Sequence, residues 1–153
     1  MVRIQAGTPF KSIEEHRMKI KLFKNVSLPK KSHLPDSGLD CFMPESFELK
    51  PLETKTIPLG IGIQVPEGFA GMLVPRSSIA EKGLIVQTSI IDPDYTGEIH
   101  LIITNCSNNT VKIEKGQRVC SLVIYSVLNV RLDVVYSFET TDRADKGLGS
   151  SGK

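Results

Sequence analysis

The chain has 153 residues, 24% of them charged, with a formal net charge of +2 and no tryptophan. That length suits one domain with a sizeable core, and the low aromatic content leaves the core to Ile, Val and Leu, which favour strands. So small a net charge gives no ground for nucleic-acid binding, and no apolar run reaches the length of a membrane-spanning helix.

Residues 1–17 are polar and weakly patterned, as in a tail or a short helix. From Met18 the chain reads as short strands between turn signals. Met18–Leu22 alternates apolar and basic residues like a half-buried strand. Ser37-Gly38-Leu39-Asp40 follows, with Asp40 compatible with a turn acid. Phe47–Leu49, Thr54–Leu59, Ile61–Val65 and Gly68–Val74 are further strands, punctuated by Pro44, Pro51 and Gly60. Pro75-Arg76-Ser77-Ser78-Ile79-Ala80 is a charged element beside the last of them.

The stretch Ser89–Ile99 carries the most information. Ile90 and Ile91 run into Asp92, Pro93 fixes φ, and Gly97 relaxes the backbone two residues past Tyr95. A short strand ending in a tight turn holds Asp92 and Tyr95 at one rigid corner, the mounting that a general base needs. Strands at Glu98–Thr104, Val119–Tyr125 and Leu128–Val135 complete an all-β pattern of sandwich or barrel type. Residues 142–153 are polar and glycine-rich, as in a flexible arm. Gly147–Lys153 fits the first part of a P-loop, but no Ser or Thr and no helix follow Lys153.

Cys41, Cys106 and Cys120 are odd in number and far apart, without metal-ligand spacing. Neither a zinc site nor a disulfide framework is expected. The polar N-terminus lacks the apolar run of a secretory signal, so a reducing intracellular location, cytoplasmic or nuclear, is the expectation.

Together these elements resemble the trimeric deoxyuridine triphosphate pyrophosphatases, the dUTPases. Five motifs stand in order: Ser37–Asp40; Pro75–Ala80; Ile91–Glu98; Gly116-Gln117-Arg118-Val119; and Gly149–Gly152 with Arg143 upstream. The resemblance implies a β jelly-roll domain over residues 18–141, a homotrimer with shared sites, and an arm over 142–153 that closes the site. It implies hydrolysis of dUTP to dUMP and pyrophosphate with Mg²⁺. Asp92 would activate the attacking water. Tyr95 would pack on the deoxyribose and exclude a 2′-hydroxyl. Arg76, Ser77 and the Ser78 backbone would hold phosphates, and Asp40 would act on Mg²⁺ through water. Ser89 would belong to the uracil hairpin, and Arg143, Leu148, Gly149, Ser150 and Ser151 to the arm.

Some positions depart from the family's usual residues. Ser89 replaces a glycine, Ser121 a glutamine, Leu148 an aromatic residue and Ala144 a glycine. These changes cluster on base recognition and arm closure. They support an alternative reading as a trimeric binding or signalling module with weak or no turnover. The related dCTP deaminases fit less well, because Ile102 stands where a catalytic glutamate is expected.

Overall fold

The computed structural model describes residues 17–141. The elements are β1 (Lys19–Leu22), β2 (Gly38–Phe42), β3 (Phe47–Leu49), β4 (Thr54–Pro58), β5 (Ile61–Gln64), β6 (Phe69–Pro75), α1 (Ser77–Ala80), β7 (Leu84–Val86), β8 (Ser89–Ile91), β9 (His100–Asn105), β10 (Val111–Ile113) and β11 (Arg118–Ser126). The main sheet has the order β2-β11-β6-β8, a second the order β4-β9-β7, and β1-β5 and β10-β3 form two-stranded ribbons. All pairings are antiparallel. This is the expected all-β jelly roll.

Period-2 patterning builds the core. Along β9, Leu101, Ile103 and Asn105 point inward while His100 and Ile102 point out. Leu73, Leu122, Ile113 and Val119 meet them in one cluster. Each such side chain contributes roughly 1.5–3 kcal/mol on burial. Asn105 is the buried polar exception. Its amide donates to the carbonyls of Leu49 and Asn109 (2.9 and 2.8 Å), and its Oδ1 accepts from Ser107. With all of its groups paired, it closes the β9–β10 turn without an unsatisfied buried donor.

Three features differ from the sequence expectations. β1 has the expected alternation but is exposed along its whole length, because among the described residues only β5 pairs with it. Leu128–Val135, expected as a strand, forms none, and neither does the rest of 127–141. Leu128, Val130, Leu132 and Val134 lie 70% or more exposed there, since no strand among the described residues offers them a ladder. The Pro75–Ala80 element, read only as a charged motif, contains the short helix α1, anchored by buried Ile79. The proposed tail and closing arm lie almost wholly outside the described residues.

Candidate active site

Sheet register assembles the site. Asp40 on β2 stands directly opposite Ser121 on β11, and Ser121 stands opposite Val74 on β6. Directly paired residues share a face. That face carries Gly38, Asp40, Ser121, Val123 and Val74, and it floors a cleft of about 900 Å³. Val74 is followed by Pro75 and by Arg76, whose carbonyl accepts from Ile79 and Ala80 at the start of α1. The turn therefore projects Arg76 and Ser77 into the cleft. The first-turn N–H groups of a helix, here those of Ser77 and Ser78, have no intrahelical acceptor and are available to a ligand.

Asp40 is the only charged residue that is buried among those described, at 7% exposure. Ser121 Oγ donates to its Oδ1 (2.9 Å), which also pairs with Arg76 Nη1. Ser32 Oγ and Arg118 Nη1 donate to its Oδ2 at 2.9 and 3.0 Å. Arg118 Nη1 also donates to Ser32 Oγ at 2.6 Å. Burial pushes the Asp40 pKa up, but hydrogen bonds from Arg76, Ser121 and Ser32 outweigh it and hold the carboxyl at about 2. Asp40 is thus ionised, and the cleft floor carries two guanidinium groups for one carboxylate.

Asp92 and Tyr95 form the expected corner after β8. The Tyr95 N–H donates to the Asp92 carbonyl (3.1 Å), and the Tyr95 hydroxyl donates to the Glu98 carbonyl (2.7 Å). Glu98 Oε1 in turn accepts from the Gly60 N–H (2.9 Å), which ties the corner to the β4–β5 turn. Gly97 acts by size rather than by backbone freedom: a Cβ there would stand 2.7 Å from Tyr95 Oη. The exposed Asp92 carboxylate accepts no hydrogen bond among the described residues, so its lone pairs are open to water. Ser89 begins β8, and its hydroxyl makes a long contact of 3.5 Å with the Gln87 carbonyl.

One chain keeps these two groups apart. Ile91 pairs with Gly71, whereas Arg76 leaves the opposite end of β6. Five residues of strand separate the two levels, roughly 17 Å. Neither Asp92 nor Tyr95 lines the cleft.

The remaining expected residues, Arg143, Leu148, Gly149, Ser150 and Ser151, lie outside the described residues. Sequence reasoning leaves Ser32 unmentioned and carries Arg118 only as a member of the Gly116–Val119 motif, without a role. Lys30–His33 carries no motif, so nothing in the sequence marks Ser32. The motif marks Arg118, but its pairing with Asp40 shows only in the structure.

Among the described residues, no group of three or more His, Cys, Asp or Glu side chains is placed to hold a metal ion. The one acidic side chain in the cleft floor, Asp40, already accepts four hydrogen bonds. These residues do not by themselves form a seat for Mg²⁺.

A family model described as dUTPase matches residues 24–152. The deoxyuridine 5′-triphosphate nucleotidohydrolase of Finegoldia magna is 37% identical over 142 residues, covering 88% of this chain and 99% of the relative. That of a Hydrogenobaculum species is 39% identical over 136 residues, covering 86% and 94%. Among solved structures, the dUTPase of Staphylococcus bacteriophage 80alpha with dUPNHPP superposes with a TM-score of 0.85 at 29% identity, covering 91% of this chain and all of that one. The same description says that phage dUTPases control transfer of virulence genes. A mutant dUTPase from phage phi11 of S. aureus, described with a structural Mg(II) ion, has a TM-score of 0.76 at 25% identity, covering 82% of this chain and all of that one.

Proposed function

The chain belongs to the dUTPase family, and from that premise we infer how its residues divide the work on dUTP. The protein is a dUTP diphosphatase, hydrolysing dUTP to dUMP and pyrophosphate. The observation that carries the assignment of roles is the contrast between its two acidic groups. Asp40 is buried and fully hydrogen-bonded, while Asp92 is exposed with open lone pairs. Only the second can take a proton from water.

The triphosphate lies in the cleft against Arg76, the Ser77 hydroxyl and the Ser78 backbone. An arginine fork suits phosphate oxygens because it offers two parallel donors. Asp92 orients the attacking water and accepts its proton. The products require rupture of the bond between the α- and β-phosphates. The Tyr95 ring, held by Glu98, packs against the deoxyribose and leaves no space for a 2′-hydroxyl. The uracil meets the hairpin around Ser89 through backbone groups. Arg143, Leu148, Gly149, Ser150 and Ser151 close over the nucleotide. The triphosphate oxygens, rather than a cluster of side chains, would hold Mg²⁺, which binds phosphates, keeps several waters and would offset their charge.

The roughly 17 Å between the two levels of β6 favours a site completed by a second copy of the chain. The exposed apolar residues of 127–141 and the edge of β1, unpaired among the described residues, support a homotrimer held by such exchange. The partners are then dUTP and two further copies, without nucleic acid or membrane. Three free cysteines suit a reducing intracellular compartment, cytoplasmic or nuclear. A module without turnover, the alternative weighed above, leaves the intact Asp92–Tyr95 corner unexplained.

The test is pyrophosphate release from dUTP with Mg²⁺, run beside light scattering on the same sample. Turnover by a trimer agrees with the reading. A stable monomer with full activity would refute the shared site.

A further inference from the structure

We propose that Asp40 is a positioning residue that holds Arg76 and Arg118 as a two-guanidinium seat for phosphate, that it does not bind the metal, and that Ser32 is its latch. The proposal rests on the hydrolase reading of the cleft and deepens it.

An ionised carboxylate offers about four lone-pair sites. Those of Asp40 are met by Arg76 and Ser121 on one oxygen and by Ser32 and Arg118 on the other. A metal-bound water could donate to Asp40 only by displacing one of these, and bonds to a charged acceptor are the strong ones. Arg76 and Arg118 each engage Asp40 through Nη1 alone. Most of the five donors of each fork therefore stay open to an anion. Their side chains are 26% and 42% exposed, and both line the cleft. Without the carboxylate between them, the two cations would repel each other.

Ser32 completes the arrangement. Lys30 and Asp40 form an isolated bridge, with N–H···O bonds of 2.8 and 3.2 Å between their backbones. That bridge lays the Lys30–His33 segment along the free edge of β2. Two residues beyond Lys30, the Ser32 hydroxyl accepts from Arg118 and donates to Asp40. A hydroxyl has one proton to give and lone pairs to accept with, so it relays Arg118 to Asp40. Neither alanine nor cysteine could do this as well, whereas threonine could.

The experiment uses the full-length protein and inorganic pyrophosphate in EDTA, measured by calorimetry, so that metal plays no part. Ser32→Ala should weaken pyrophosphate binding by roughly tenfold, the weight of one hydrogen bond to a charged group. Ser32→Thr should restore it. In turnover assays, Ser32→Ala should raise KM for dUTP by more than it lowers kcat. Asp40→Asn should weaken metal-free pyrophosphate binding at least as much, while the Mg²⁺ concentration for half-maximal rate stays where it is. The proposal is overturned if the native protein binds no pyrophosphate in EDTA. It is also overturned if Ser32→Ala and Asp40→Asn leave that affinity unchanged, or if Asp40→Asn moves the Mg²⁺ midpoint. Thermal melting of each variant identifies misfolding, and Ser32→Ala decides alone if Asp40→Asn does not fold. Asp40-dependent pyrophosphate binding by a protein that fails to hydrolyse dUTP would leave this inference standing and remove the hydrolase reading.

Discussion

The Tyr95 hydroxyl fills the space above Gly97, where a Cβ would come within 2.7 Å of it. The same hydroxyl donates to the Glu98 carbonyl at 2.7 Å, so the ring is held from both sides of the turn. The glycine thus fixes the ring's position.

Gly97→Ala should displace the Tyr95 ring and weaken discrimination between dUTP and UTP, with a stability loss of about 1–3 kcal/mol from overpacking. Tyr95→Ala should weaken the same discrimination at a smaller cost in stability. The ratio of kcat/KM for the two nucleotides measures both. An unchanged ratio in either variant would leave the ring a structural role only.

Asp92→Asn should reduce hydrolysis by at least about a hundredfold, the usual contribution of a general base, while dUTP affinity stays within a few-fold. The amide keeps the shape but cannot accept the proton. Single-turnover kinetics alongside equilibrium binding separates the two quantities, and retained turnover would remove Asp92 from the role.

Asp40 gives the fold a specific acid sensitivity. Its pKa is about 2 in the folded chain against an ordinary 3.8. A carboxylate with a depressed folded pKa stabilises above its unfolded value, and that contribution is lost as pH falls from 3.8 towards about 2. Urea midpoints should therefore drop across this window more steeply in the native protein than in Asp40→Asn. Parallel curves would mean that the network adds nothing to stability.

Cys41 and Cys120 face each other across β2 and β11 and are buried, while Cys106 is exposed. The Cys120 pKa is pushed up by its hydrogen bond with Cys41 and then by burial. A protonated, inaccessible thiol reacts slowly. A colorimetric thiol reagent should titrate one cysteine per native chain and three after denaturation. Rapid reaction of all three in the native state would contradict this packing.

Truncation before Asp142 should leave the assembly and its melting temperature nearly intact but greatly reduce hydrolysis. The removed segment is polar and glycine-rich, a composition that does not build a core. Light scattering and a dUTP assay on the shortened chain check both halves, and full activity would mean that the segment has no part in the site.

Much of this protein is determined locally. The alternation in Ile61–Gln64 and the β-branched runs in β9 and β11 carry their strand character in the residue order, because successive side chains of a strand point to opposite faces. The corner from Ile91 to Glu98 is equally local: Pro93 and Gly97 stand within a few residues of the side chains they position. The Asp40 network is not. Its members Ser32, Arg76 and the β11 pair Arg118 and Ser121 come from three separate segments, and only the β2–β11–β6 register brings them to one carboxylate. Hydrogen bonds act over about 3 Å, so partners distant in sequence stay invisible until strand pairing sets their separation. The same reason explains Leu128–Val135, where the residues favour a strand but pairing needs a second strand that none of the described residues supplies.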